Sequence, residues 1–249
     1  MFINNIHIFW YVGLGILGLF VGLIIDLANK NLPEHKKFFS IQTIREYIKL
    51  SNKNYTLMII SSFLYIGLLR VIGMQDIPEL VQFLVLTPML ISAFCIDYKM
   101  QIIPNRLTLT MLETGIIFSF IRGINNLNVA VEMWIGMLLG VAIFLILTYA
   151  GNIISKRETM GFGDVKLMGA LGLFFGWRNI IAISILSFFI ASIYSVYLII
   201  RNKIKKQEIN EVIPFGPFIV LAAFIVMFIP LDLWIRLIFF VFTFGRYKF

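Results

Sequence analysis

A polytopic α-helical membrane bundle is the fold class this sequence predicts, and three observations predict it. Hydrophobic residues make up 60% of the 249, and only 14% are charged, against about 25% in soluble domains. Mean hydropathy is +0.93. Apolar runs long enough to cross a bilayer recur along the chain. They are apolar all round, whereas the strands of an outer-membrane barrel would alternate apolar and polar residues. The expected architecture is all-α with about eight transmembrane helices, nine if a last apolar stretch also crosses.

The first span is 8–27 and includes 8-IFWYVGLGILGLFVGLIID-26. It lacks a basic n-region and an A-x-A-like end, so it is expected to stay as a membrane helix rather than be cleaved. Residues 28–55 are the sizeable polar insert. Within them, 34-EHKKFFSIQTIREYIKL-50 suits either a short basic amphipathic helix on an anionic leaflet or a solvated loop. Further spans are expected at 56–73, 80–96, 107–122, 131–150, 164–177, 179–200 and 213–230. The 164–177 span is short and glycine-rich. It needs a thinned bilayer, shielding by protein or an extension from Met160. A last stretch, 232–246, is apolar but carries Arg236 in its middle, and it either crosses or lies at the interface. The organisation is thus a first helix (1–27), a basic loop (28–55) and a helical bundle (56–249).

The net charge of +8 reads as loop topology rather than nucleic-acid binding. Lys30, Lys36, Lys37, Arg45, Lys49 and Lys53 sit in the 28–55 loop. Lys99 and Arg106 sit in the next loop on that side, then Lys156, Arg157 and Lys166, then Arg201, Lys203, Lys205 and Lys206. Fifteen of the 21 Lys and Arg fall on one face if the N-terminus is outside, which makes that face cytoplasmic. The single cysteine, Cys95, permits no internal disulfide and no CxxC metal site, and reads as a small packed core residue.

Intramembrane acids cost about 2.5–3.5 kcal/mol each on the insertion scale and are functional candidates by default. Asp26, Asp97, Glu113 and Asp164 lie in or beside spans. Two share a setting. Asp97 ends a span and begins 97-DYKMQIIPNRLT-108. Asp164 lies in 159-TMGFGDVKLMGALGLFFGW-177, at the junction of a glycine turn and an apolar helix. Both fall on the inferred cytoplasmic face. Two close carboxylates cannot both ionise cheaply, so they hold one proton between them. The ionised member can take a proton from water and the protonated one can polarise a peptide carbonyl.

The neighbouring residues suit that role. Gly161 and Gly163, flanking Phe162, are expected to allow positive φ and close backbone approach, exposing Asp164 at a turn. A helix N-terminus would help hold Asp164 ionised. Pro104, before Asn105, biases Ile103 away from the α region and forces a turning connection after Asp97. Against this stands ordinary helix capping by Asp, and glycine used only for close packing. Either site alone leaves the two readings even; together, on one face, they weaken the structural one. Asp26 reads as a cap at the membrane edge. Glu113 reads as a polar contact inside the bundle, with no assigned role.

At these residues the sequence resembles the type IV prepilin peptidases, membrane-embedded aspartic proteases of the GxGD class. The stretch 157-RETMGFGDVKLMGALG-172 carries the family's most specific motif. The stretch 97-DYKMQIIPNRLT-108 is similar to a second family block, and 213-IPFGPF-218 to a third. Order and spacing agree over roughly residues 80–230.

The resemblance implies that Asp97 and Asp164 are catalytic, with Gly161, Phe162, Gly163, Lys166, Pro104 and Asn105 shaping the site. It implies a multi-pass enzyme of the plasma (inner) membrane whose active site faces the cytoplasm. The implied partners are the lipid bilayer and a prepilin or pseudopilin precursor with a short basic leader, a glycine before the cut and an apolar helix after it.

Many members bind zinc through two CxxC pairs in the first cytoplasmic loop. Residues 28–55 contain no cysteine, so no metal is expected. A pair such as Glu34 and His35 would make a poor site. The peptidase implied needs no cofactor. The family's second activity, N-methylation of the new N-terminus from S-adenosylmethionine, is tied to the N-terminal region. There, 22-GLIIDLANKNLP-33 keeps Gly22, Leu32 and Pro33 of a family block but has Asp26 and Asn31 where Asn and Arg are usual, which leaves N-methylation, and S-adenosylmethionine as its cofactor, an open expectation for this chain. A different class, an ion- or proton-coupled transporter with Asp97 and Asp164 as ligands, accounts for the acids but not for the other two blocks.

Overall fold

The computed structural model describes residues 2–3, 6–32, 54–156, 160–205 and 213–229. The described residues form seven helices behind a tiny antiparallel hairpin of β1 (Phe2–Ile3) and β2 (Ile6–His7). The helices are α1 (Ile8–Asn31), α2 (Tyr55–Ile72), α3 (Ile77–Met100), α4 (Asn105–Asn125), α5 (Leu127–Ser155), α6 (Phe162–Lys205) and α7 (Gly216–Phe228). All of α1 to α6 are long and apolar enough to cross a membrane.

The all-α bundle stands, but the count is six such helices plus the short α7, not eight or nine. Two causes account for the difference. The expected 164–177 and 179–200 spans fall on the two arms of α6, which counts as one element although Gly176, with φ 71° and ψ 175°, separates the arms. The expected 213–230 span yields only the 13 residues of α7, about 20 Å of helix against the roughly 30 Å of a hydrocarbon core. The 232–246 stretch, most of the 28–55 insert and Arg157 lie outside the described residues.

The break at Gly176 turns α6 back on itself. A methyl group placed on Gly136 of α5 would meet the backbone at Gly172 and Gly176, and one on Gly140 would meet the Met168 carbonyl and the Ile180 side chain. The first arm therefore runs antiparallel to α5 and the second runs parallel to it. Such close backbone approach needs residues without side chains, because in lipid packing itself drives helix association. Leu171, Leu173, Phe174 and Ile180 are buried along the two arms, and Phe144 faces them from α5.

Pro88 stands inside α3 and lacks the N–H that would bond the Leu84 carbonyl. The Tyr65 hydroxyl of α2 donates to that carbonyl instead, at 2.8 Å. The α1–α2 pair is held by Ser61 Oγ donating to the Gly18 carbonyl at 2.6 Å and Ser62 Oγ donating to the Gly15 carbonyl at 2.8 Å. A side chain on Gly22 would run into the Met58 backbone and Ser61 Oγ. Gly22→Leu is therefore expected to prise α1 from α2 at a cost of about 1–3 kcal/mol or more, read as a lowered melting temperature of the detergent-solubilised protein. A parental melting temperature would contradict this packing.

The helix directions gather Lys30, Lys99, Arg106, Lys156, Lys166, Arg201 and Lys203 at one end of the bundle. Arg70, Arg122 and Arg178 lie at the other. Three of the remaining expectations change. Glu113 is exposed on α4 rather than interior, because the buried stripe of that helix runs through Leu107, Met111, Gly115 and Phe118. Asp26 is buried within α1 rather than capping it. It pairs with Lys30 Nζ at 2.9 Å and accepts from Asn54 Nδ2 at 3.2 Å, tying α1 to the start of α2. Cys95 is only half-buried, because its side of α3 faces a gap between α1 and α2 beside Asn29 and Lys99.

Candidate active site

Asp97 sits on the last turn of α3. Its carbonyl accepts the Gln101 N–H at 2.8 Å, and Gln101, in the left-handed region (φ 57°), ends the helix there. The chain then runs extended through Pro104 (φ −61°, ψ 130°), the N-cap of α4. Pro104 fits that position because it has no N–H to satisfy and disfavours helix in the residue before it. Asn105 is the first residue of α4.

Asp164 lies in the first turn of α6, its N–H donating to the Gly161 carbonyl at 3.1 Å. Both aspartates are buried, Asp97 at 4% exposure and Asp164 at 7%. Their carboxyls are near enough to act on one another electrostatically. Two acids that are 67 positions apart (164 − 97) in the chain thus meet at the basic end of the bundle.

The expected neighbours take particular places. Lys166 Nζ donates to Asn105 Oδ1 at 2.8 Å, joining the α6 arm to the start of α4. Ile103 lies against both sides of the site. A methyl group on Gly163 would press on it at 3.3 Å, and one on Gly216 would meet it at 3.2 Å. Phe162 is 62% exposed.

The glycine turn differs from expectation. Among the described residues the positive-φ glycines are Gly73 and Gly176, not Gly161 or Gly163. The helix already begins at Phe162, so Gly163 is helical and Asp164 is covered rather than presented at a turn. What Gly163 contributes is space against Ile103.

Sequence reasoning missed Gly216 as a site residue. Its N–H faces the Asp97 carboxyl, and its missing side chain leaves the room that Asp97 Oδ2 occupies. Gly216 is held there by Phe215, whose ring packs on Phe188 at 4.9 Å and Phe144 at 6.0 Å between centroids. The signal was present in 213-IPFGPF-218, but nothing local says which distant residue that turn approaches. Asp97 Oδ2 is buried and accepts no hydrogen bond from the described residues. A buried acceptor left open costs about 1–3 kcal/mol, and such an oxygen is poised to bind a water or a polar substrate group. Among the described residues no three His, Cys, Asp or Glu side chains come together.

A family model described as the type IV leader peptidase family matches residues 84–196, which include both aspartates. The chain is 32% identical over 144 residues to a prepilin leader peptidase/N-methyltransferase of Aeromonas salmonicida, covering 58% of this chain and 47% of that protein. It is 34% identical over 140 residues to the protein of the same name from Legionella pneumophila, covering 56% and 46%. It is 31% identical over 134 residues to the leader peptidase HopD of Escherichia coli, covering 53% of this chain and 83% of that one. The chain thus spans about half the length of the larger relatives and most of HopD. No solved structure matches it.

Proposed function

This chain belongs to the type IV leader peptidase family, and from that premise we propose that it is a membrane-embedded aspartic endopeptidase. Its substrate is a type IV prepilin or pseudopilin precursor, from which it removes the short basic leader at the cytoplasmic face of the plasma (inner) membrane. The observation that carries the reading is the meeting of buried Asp97 and Asp164 at one end of the bundle, with Asp97 Oδ2 unpartnered.

The chemistry uses one proton shared by the pair. A water held by the two carboxyls loses a proton to the ionised member as its oxygen bonds to the peptide carbonyl carbon. The protonated member donates to the carbonyl oxygen as negative charge develops there. Collapse of the tetrahedral intermediate breaks the C–N bond: the carboxyl that took the water proton delivers it to the departing amine, and a hydroxyl of the intermediate returns its proton to the other carboxyl, which restores the shared proton. Lys166 and Asn105, bonded to each other, hold the two motif segments together beside the pair.

Basic residues gathered at that same end support a cytoplasmic placement by the positive-inside tendency. The lipid bilayer is the second partner, and nucleic acid has no place in the reading. No comparison favours the transport alternative. The proposal does not extend to N-methylation, because the resemblance ties that activity to a region where Asp26 and Asn31 depart from the usual residues. Incubating cleaved pilin with S-adenosylmethionine and weighing its N-terminal peptide tests that activity separately.

The deciding experiment is co-expression with a candidate prepilin and mass spectrometry of the pilin N-terminus. A new N-terminus after the leader glycine supports the peptidase. An intact leader with every candidate prepilin defeats it. Water and two carboxyls suffice for the reaction, so chelators are expected to leave the cleavage rate unchanged. Inhibition by a chelator that zinc reverses would contradict the metal-free mechanism.

A further inference from the structure

The helices that carry the two aspartates, α3 and α6, make few direct contacts with each other; α4 and α7 lie between them. At the end of the bundle away from the aspartates one buried hydrogen bond joins them. Gln82 of α3, 0% exposed, donates from Nε2 to the Phe174 carbonyl of α6 at 2.8 Å.

That carbonyl is open for a reason. It belongs to the last turn of the first α6 arm, and the non-helical Gly176 removes the helical donor it would otherwise have. The next carbonyl, of Phe175, accepts from Asn179 Nδ2 at 3.0 Å, within α6 itself. Gln82 alone of the two reaches across from α3. Beside it, Phe83 and Phe175 pack with centroids 5.2 Å apart.

The carboxamide of Gln82 is oriented by a charge. Arg122, near the end of α4, directs Nη1 at Gln82 Oε1 (3.4 Å), which turns Nε2 toward Phe174. Its Nη2 is held by Asp76 Oδ2 at 3.3 Å and Glu79 Oε2 at 3.4 Å, at the start of α3. The chain of bonds therefore runs from the α3 N-terminus through Arg122 and Gln82 to the reversal in α6.

We propose that Gln82, oriented by Arg122, is a positioning residue that fixes the first arm of α6 along α3 and so sets where Asp164 stands against Asp97. The first arm of α6 is continuous helix between Asp164 and Phe174, so a slip at Phe174 moves Asp164 by a similar distance. On α3 the bond missing at Pro88, between Gln82 and Asp97, is replaced by the Tyr65 hydroxyl on the Leu84 carbonyl. Misplacement of a reacting group by about 1 Å can cost on the order of 100-fold in rate. The consequence for rate rests on the peptidase reading; the consequence for geometry does not.

The test uses Gln82→Met, which keeps the volume and loses the donor, and Arg122→Met, which leaves Gln82 in place but unoriented. Spin labels at Tyr98 and Phe162, both exposed, in a Cys95→Ala background report the separation of α3 and α6 at the aspartate end. Gln82→Met is expected to broaden or shift that distance distribution, with a roughly 10- to 100-fold fall in kcat at unchanged KM. Arg122→Met is expected to change both in the same direction by less. Should Gln82→Met not fold, Arg122→Met carries the test. A local cap on Phe174 would lower the melting temperature without altering the label distance, so a parental distance distribution in a folded variant overturns the proposal. Labels shifted by Gln82→Met, when the parental protein itself cleaves no prepilin, would uphold the tie and defeat the peptidase reading instead.

Discussion

Asp97→Asn and Asp164→Asn are each expected to abolish leader removal, with a fall of at least about 1000-fold, and the double variant is expected to be no slower than either single one. The reason is that the two carboxyls act as one unit. The reaction needs a group that takes a proton from water and a group that gives one to the carbonyl, and an amide does neither at neutral pH. Once one member is gone, the other has no partner reaction left to lose. Asn is close to Asp in volume and adds no charge to a buried site, so insertion and melting temperature should change little. A structural role predicts the reverse, a lowered melting temperature with activity reduced only in proportion to the folded fraction. The measurement is mass spectrometry of pilin produced beside each variant, with a melting curve of the same preparation. One single variant cleaving at a near-parental rate would sink the shared-proton mechanism.

What the sequence made legible follows the range over which the physics acts. Hydropathy is a local property, and it placed the apolar segments correctly from 8–27 to 179–200. The backbone effect of proline is local as well, and the connection after Asp97 is extended at Pro104, just before α4, as expected. The break in the sixth segment was legible too, between two apolar runs near Trp177 and Arg178. That its pivot is Gly176, and that the two arms then fold back along α5, depends on Gly136 and Gly140, about 40 residues away (176 − 136 = 40).

Contacts at long range were not legible. Gln82 reaches Phe174 across 92 residues, and the Gly216–Asp97 approach spans still more chain. Nothing in the composition of either segment encodes the partner. The misreading of the glycine turn has the same origin. Gly161 and Gly163 were expected to bend the chain because glycine can, but the helix begins at Phe162. The demand for a small residue at Gly163 comes from Ile103, 60 positions away in the chain.

Gly216→Ala carries the second large expected effect, and it separates crowding from chemistry. A methyl group at that position would overlap Asp97 Oδ2, lie 3.0 Å from Asp97 Cγ and 3.2 Å from Ile103 Cδ1. Something must move. The α7 backbone is anchored by the Phe215 ring against Phe144 and Phe188, and Ile103 is buried against Gly163, so the Asp97 carboxyl is the part free to rotate. Rotation takes it away from the Gly216 N–H and out of line with Asp164. The strain costs about 1–3 kcal/mol of stability, whereas displacing a reacting group by about 1 Å costs on the order of 100-fold in rate. Cleavage is therefore expected to fall by about 100-fold or more in a protein that still folds, because the methyl group meets the Asp97 oxygen that is left open for a water or a substrate group. Gly13→Ala is the matched control, since a methyl group there meets nothing within 4 Å, and its rate should stay at the parental value. If Gly216→Ala cleaved prepilin as fast as that control, the tight packing of α7 against Asp97 would not be a condition of the chemistry.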